Sequence, residues 1–294
     1  MKRLLIILAI ALTANITACS QKKVDDNESG NNKVVEEQSE DNEVVDDLVG
    51  TTPVKNEVDY SDSFNGIQGC AVFYNPTDKV YDFYNSELCE EEIPPYSSFK
   101  IINTLLGLSQ NVVTSADSKL GYDGTIYWRE QWNKDITLKE AFKESCVWYY
   151  EKIMDSLDKE YVQRVLNDLQ YGNCDITAWD ESGHNVFWIS SSLKISPIQQ
   201  VEVLSNIFEG KTSFNSSHVE LLKDFMLVES NENYSIYGKT GSASKRNAWF
   251  TGFFEKDNER TYFAVRLDDE TQELAGSVAK SIALDIISKQ YNSN

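Results

Sequence analysis

Apolar and polar positions divide the chain into stretches of different character. A basic start, Met1-Lys2-Arg3, leads into the apolar run Leu4-Leu5-Ile6-Ile7-Leu8-Ala9-Ile10-Ala11-Leu12. That run is too short to span a bilayer comfortably, so residues 1–18 are predicted to be a secretory signal. Residues 19 to about 58 are polar and acidic and hold no aromatic residue; Glu36-Glu37, Glu40-Asp41 and Asp46-Asp47 are typical. Such a segment cannot bury enough apolar surface to offset the entropy of ordering it, which predicts a disordered acidic tether. The folded domain is expected over 59–294.

From Tyr60 onward the pattern predicts packed elements. Gly69-Cys70-Ala71-Val72-Phe73-Tyr74 and Val80-Tyr81-Asp82-Phe83-Tyr84 read as strands, and Asn75-Pro76-Thr77-Asp78 between them reads as a turn. Together they predict a hairpin. Pro94-Pro95 then precede Ser97, and the spacing of Phe99, Ile102, Leu105 and Leu106 predicts a buried helix. Leu138 to Leu169 reads as mostly helical, with Phe142, Val147, Tyr150, Ile153 and Met154 on one face. Ser196-Pro197 opens a further helix, Ile198 to Phe208. Ser235–Gly241, Ala248–Phe254 and Arg260–Leu267 read as an antiparallel meander, and a last helix is expected from about Gly276 to Lys289. Strands, then helices, then strands and a helix predict an α+β fold: an antiparallel sheet flanked by helices, with a helical subdomain.

Composition narrows the function. Aromatic residues are 12% of the chain, enough for a sizeable core. A formal net charge of −20 opposes nucleic-acid binding, which needs a basic face. His184 and His218 are the only histidines, so no metal site is expected. The apolar leader ends in Ile16-Thr17-Ala18-Cys19, which resembles a bacterial lipobox. That resemblance implies cleavage before Cys19, lipidation of its thiol, and an exported, extracytoplasmic protein held to a membrane by acyl chains. Export permits disulfides, and Cys70 and Cys89, bracketing the hairpin, are the best candidate pair. Cys146 is expected to pack as a small buried apolar group.

The candidate chemistry begins at Ser97-Ser98-Phe99-Lys100. At a helix start, positions i and i+3 share a face, so the Ser97 hydroxyl and the Lys100 amine can meet. A serine hydroxyl needs an adjacent base to become a nucleophile, and a lysine serves only where burial or nearby cations disfavour its charged form. Phe99 and Ile101 supply an apolar setting. Alone, this Ser-x-x-Lys reads more readily as a capped helix with an exposed lysine. Two further motifs change the balance. Lys239-Thr240-Gly241 lies in a strand context, where a lysine and a threonine can hold a carboxylate and a glycine lets a ligand approach the backbone. Ser145-Cys146-Val147 lies between the two. Ser-x-x-Lys, a second serine motif and Lys-Thr-Gly, in that order, mark β-lactamases and penicillin-binding proteins.

The chain resembles the class D β-lactamases. Pro95-Tyr96-Ser97-Ser98-Phe99-Lys100-Ile101 is similar to that family's Pro-x-Ser-Thr-Phe-Lys-Ile, Ser145-Cys146-Val147 to its Ser-x-Val, and Tyr171-Gly172-Asn173 to its Tyr-Gly-Asn. Phe187-Trp188 followed by Leu193-Lys194-Ile195-Ser196 matches a further box, and Tyr84-Asn85 and Trp249-Phe250 also fit. The resemblance covers about 65–290. It implies that Ser97 attacks a β-lactam carbonyl to form an acyl-enzyme. Lys100, carrying CO2 as a carbamate (N6-carboxylysine), would be the base for acylation and deacylation, in a pocket formed by Val147 and Trp188. The Trp188 indole N–H would hold the carbamate, and Ser145 would relay a proton to the lactam nitrogen. Val147, Lys239, Thr240, Gly241 and Ser242 would bind substrate, with the oxyanion hole made by the Ser97 and Ser242 amides. No cofactor beyond CO2 or bicarbonate is implied. Tyr171-Gly172-Asn173 is expected to be a structural turn.

One departure affects carboxylate binding. Many class D enzymes carry an arginine near the start of the last helix, where this chain reads Glu273-Leu274-Ala275-Gly276-Ser277-Val278-Ala279-Lys280. Lys245 or Arg246 are candidate substitutes. Penicillin-sensing receptor domains share the same boxes, so a protein that acylates without fast turnover is the alternative to a hydrolase, with a peptidoglycan transpeptidase or carboxypeptidase third.

Overall fold

A computed structural model describes residues 52–180, 185–189, 191–243, 246–271 and 273–291. The expected signal, Cys19 and most of the expected tether lie outside the described residues, as do His184 and Lys245. The described chain opens with β1 (Val54–Glu57), α1 (Ser61–Phe64), β2 (Gly69–Asn75), β3 (Val80–Tyr84) and α2 (Ser86–Glu90). A single 3-10 turn, Tyr96–Phe99, runs into α3 (Lys100–Ser109). A helical stretch follows: α4 (Leu138–Lys143), α5 (Val147–Asp155), α6 (Lys159–Leu169), α7 (Pro197–Phe208) and α8 (Ser216–Met226). The chain then returns to the sheet with β4 (Leu227–Ser230), β5 (Ser235–Ala243), β6 (Asn247–Lys256) and β7 (Glu259–Asp268), and ends in α9 (Gly276–Tyr291).

The strands form one sheet in the order β1-β3-β2-β7-β6-β5-β4. Side chains alternate between its faces, as the pleat requires. On β6, Trp249 and Phe253 join the core on the helical side, while Phe250 and Phe254 join the core on the opposite side, with Ile282, Ala283 and Ile286 of α9. On β2, Cys70 and Val72 face the first core, and Ala71 and Phe73 the second. Both faces are covered, which is why the central strands read as nearly continuous apolar runs.

The structure adjusts three expectations. Val54–Glu57, inside the segment expected to be tether, is a strand; it pairs parallel to β3, so the sheet is mixed rather than wholly antiparallel. All four of its residues are exposed, so it carries no hydrophobic signature and is held through backbone pairing. The expected helical run from Leu138 to Leu169 is three helices, broken at Ser145, whose φ is +53°, and again before Asp158, whose side chain caps α6. Cys70, Cys89, Cys146 and Cys174 are free thiols. Cys70 and Cys89 are neighbours nonetheless: the thiol–thiol hydrogen bond, and after it burial, push the Cys89 thiol up. Cys146 is buried, as expected of a small apolar group.

Tyr171-Gly172-Asn173 is the turn that the sequence predicted. Gly172 has φ +54°, and a Cβ there would sit 1.8 Å from the Lys194 carbonyl oxygen. Only glycine admits this approach. The Asn173 side chain completes it, accepting the Lys194 amide at 3.0 Å and donating to the Ser192 carbonyl at 2.9 Å.

Candidate active site

Ser97 is positioned by the segment that precedes it. Ile93 bridges to Ile195 in antiparallel pairing. The Trp249 indole donates to the Pro94 carbonyl at 3.0 Å, and the Tyr96 amide donates to the Trp188 carbonyl at 3.1 Å. The Ser98 hydroxyl donates to the Pro95 carbonyl at 2.7 Å and accepts from the Gln200 amide at 3.0 Å. Buried Arg266 adds hydrogen bonds to the Leu88 and Glu91 carbonyls, 3.0 and 3.3 Å. Several sequence boxes distant in the chain thus fasten one short turn. Tyr96 enters it with φ +50°, and Ser97 follows, partly exposed, at the edge of a cavity.

Lys100 opens α3 and is wholly buried. Its ammonium donates to Ser97 Oγ at 3.0 Å, the i, i+3 contact that the spacing predicts. Burial, with a smaller contribution from the Arg129 charge, brings its pKa down to about 7. The Tyr150 ring lies 5.2 Å from Nζ. Trp188 is also buried and stacks on Phe99, with centroids 5.6 Å apart. Its indole N–H has no acceptor among the described residues. A buried donor without a partner costs about 1–3 kcal/mol, so this group is suited to an acceptor arriving from elsewhere. A carboxylated lysine is such an acceptor, and an amine with a pKa near 7 is neutral often enough to form one; the residues present fit that modification.

Ser145 projects from the left-handed turn between α4 and α5 and lines the cavity with Val147. Its hydroxyl accepts a hydrogen bond from Lys239, whose Nζ also donates to the Thr240 carbonyl at 3.0 Å. Lys239 is 4% exposed, and its burial beside the charges of Lys100 and Arg129 holds its pKa well below the usual lysine value. The lysine expected to face a substrate carboxylate is therefore directed to Ser145, while Thr240 and Ser242 of the same strand line the cavity.

The cavity has a volume of about 630 Å³. Tyr96, Tyr127, Trp128 and Trp132 give it aromatic walls. Arg129, Lys143 and Lys280 also line it, against the single lining carboxylate of Glu144. Arg129 stacks its guanidinium over Trp128 and Trp132, 4.7 and 5.5 Å from the ring centroids. Arg246, a candidate for carboxylate binding, is committed to Asp268 and Glu270. Among the described residues no group of three or more His, Cys, Asp and Glu side chains could hold a metal ion.

The profile of the penicillin binding protein transpeptidase domain matches residues 66–288. This chain belongs to that family. Its resemblance to the class D β-lactamases holds as well. It is 30% identical to the probable β-lactamase YbxI of Bacillus subtilis, over 80% of this chain and 85% of that protein. The solved class D β-lactamase of Bacillus subtilis superposes with a TM-score of 0.73 at 30% identity, covering 80% of this chain and 96% of that one. Regulatory protein BlaR1 of Bacillus licheniformis is 31% identical, over 79% of this chain but 39% of that protein. The C-terminal domain of the BlaR penicillin-receptor of the same organism gives a TM-score of 0.75 at 30% identity, covering 82% of this chain and 98% of that one.

For a penicillin-binding family member, the contact between β5 and the serine turn is decisive. A Cβ on Gly241 would lie 2.8 Å from the Pro95 carbonyl oxygen, 3.0 Å from the Ser98 amide nitrogen and 3.4 Å from the Ser97 amide nitrogen. The absent side chain lets the strand close on the turn, where the Ser97 amide can face a developing oxyanion. Gly241→Ala cannot keep this approach, because the nearest atom is a backbone oxygen and the strand or the turn has to shift. We expect Gly241→Ala to slow the reaction of penicillin with the protein about tenfold and to lower the thermal midpoint, because backbone on one side of the contact has to move; stopped-flow kinetics and thermal melts check it. Arg129, Lys143 and Lys280 were not singled out from the sequence, where lone cations read as solvated charge. Lys280 lies in the stretch where many class D enzymes carry an arginine.

Proposed function

We propose that this protein hydrolyses β-lactam antibiotics through an acyl-enzyme on Ser97, with Lys100 as the general base. The observation that carries the reading is the Lys100–Ser97 contact of 3.0 Å together with a buried amine whose pKa is about 7. Ser97 Oγ attacks the lactam carbonyl carbon; the O–C bond forms as the lactam C–N bond breaks. Lys100 takes the hydroxyl proton, and Ser145, hydrogen-bonded to Lys239, delivers a proton to the departing nitrogen. Water then cleaves the ester and restores Ser97. Lys100 in its neutral form adds to CO2, with an N–C bond formed and one proton released. That carbamate supplies the base for both half-reactions when it is present. Val147 and Trp188 wall its pocket, and the Trp188 N–H is its donor. Thr240, Gly241 and Ser242 receive the substrate on β5.

The signal at 1–18, lipidated Cys19 and an acidic tether complete the proposal: an exported protein anchored outside a membrane and reaching from it. Mass spectrometry of the membrane fraction tests the anchor, since an unmodified Cys19 would sink it.

The BlaR likeness, at 31% identity and a TM-score of 0.75, favours a second reading, a penicillin sensor that keeps its acyl group. A chromogenic cephalosporin separates the two. Sustained hydrolysis over many turnovers supports the hydrolase; one burst equal to the protein concentration supports the sensor.

A further inference from the structure

The cavity is cationic in a protein that is otherwise strongly acidic. With a formal charge of −20 over the chain, it keeps Arg129, Lys143 and Lys280 around one opening, and buried Lys100 and Lys239 behind it. Such clustering against the net charge points to an anionic ligand. The question is which cation meets the anion. Lys239 is turned to Ser145 and the Thr240 carbonyl, and its burial disfavours its charged form. Arg246 is held by two carboxylates. Arg129 lies flat over two indole rings.

Lys280 differs from all three. It is half-buried, lines the cavity, and makes no hydrogen bond or ion pair among the described residues. Its helix places it well. Gly276, the first residue of α9, packs so closely on β5 that a Cβ there would be 2.7 Å from Thr240 Cβ. Positions i and i+4 share a helix face, and helical side chains lean toward the N-terminus. Lys280 therefore leans back toward the Gly276–Thr240 contact. It lines the cavity that holds Ser97 and also the neighbouring one of about 300 Å³ behind Thr240.

We propose that Lys280, acting beside Thr240 and Ser242, is the cation that binds the carboxylate of a β-lactam substrate in this chain. The inference rests on the reading of Ser97 as a β-lactam-reactive serine. It makes Lys280 a specificity-determining residue: it acts on ligands that carry a negative charge at that position and is indifferent to those that do not.

The test compares one penicillin with its own methyl ester. The second-order rate of Ser97 acylation is measured for each by stopped-flow, with the adduct confirmed by intact mass. Wild type should prefer the free acid. Lys280→Ala should lower the acid rate about tenfold, the effect of losing one charge-assisted hydrogen bond, and leave the ester rate unchanged. Lys280→Arg should restore most of the preference, and Lys143→Ala should leave the ratio alone. Equal losses on acid and ester, no loss on either, or transfer of the effect to Lys143→Ala would each overturn the assignment. Acylation of wild type by neither compound would overturn the reading of function, and this inference with it.

Discussion

Lys100→Met is expected to slow acylation of Ser97 by about a thousandfold, the range attributable to a positioned general base. The substitution removes the amine 3.0 Å from Ser97 Oγ while keeping an unbranched chain in the same buried space. Ser97 then remains a neutral alcohol without the amine beside it. The fold should not suffer. A buried ammonium is unfavourable, and burial already brings the Lys100 pKa to about 7. Replacing it with a thioether removes that conflict, so the thermal midpoint at pH 6 should hold or rise. The sign for wild type follows. The folded pKa is below that of the unfolded chain, so between about 7 and 10 the unfolded state binds the extra proton, and stability gained at high pH is lost as pH falls toward 7. Acylation should follow the neutral amine: level above about pH 7 and falling about tenfold per pH unit below it. A Lys100→Met protein that acylates at near-native rates would remove Lys100 from the mechanism, and a pH-independent rate between 5 and 8 would remove its titration from the account.

What the sequence showed and what it concealed divide along a physical line. The Ser97–Lys100 contact is local, fixed by three residues of helical geometry, and could be read directly. The meander from Ser235 to Leu267 could be read because its strands fill two cores and leave an apolar signature on each face. The boxes at Trp188, Ile195 and Trp249 could be recognised, but not explained: their shared task, fastening the Ile93–Tyr96 backbone, is a set of contacts between residues as far as 155 positions apart. β1 was missed because its four side chains are all exposed, so its pairing with β3 leaves no trace in residue choice. The break at Ser145 was missed for a related reason. A left-handed serine is set by its surroundings, here the Cys146 amide donating to the Ala141 carbonyl at 2.9 Å, rather than by its own preference. The Cys70–Cys89 pair shows the reverse case, in which bracketing a hairpin did bring two thiols together, although they are free.

The same division bears on the step after acylation. Lys100 and Ser97 suffice, on paper, to acylate; what frees Ser97 again has to come from what surrounds them, and Trp188 is the element best placed to act. Trp188→Phe should lower steady-state turnover about a hundredfold, the upper range for losing one hydrogen bond to a charged group. Phenylalanine keeps a ring in a buried stack with Phe99 and loses part of the indole together with the N–H that lacks an acceptor among the described residues. Removing an unpaired buried donor does not cost stability, so the thermal midpoint should not drop by more than the small packing loss of a smaller ring. The readout specific to the carbamate is spectroscopic. Wild type in 13C-labelled bicarbonate should give a carbamate resonance that Trp188→Phe reduces, and high bicarbonate should recover part of the variant's turnover. Acylation should slow less than deacylation, so the variant should accumulate acylated Ser97 detectable by mass. If the variant loses turnover while its carbamate resonance is undiminished, the indole acts on the acyl group or on water instead. If wild type shows no resonance at any bicarbonate concentration, Lys100 works as a free amine, and the closeness to the BlaR penicillin-receptor domain becomes the better guide to what this site does with its acyl group.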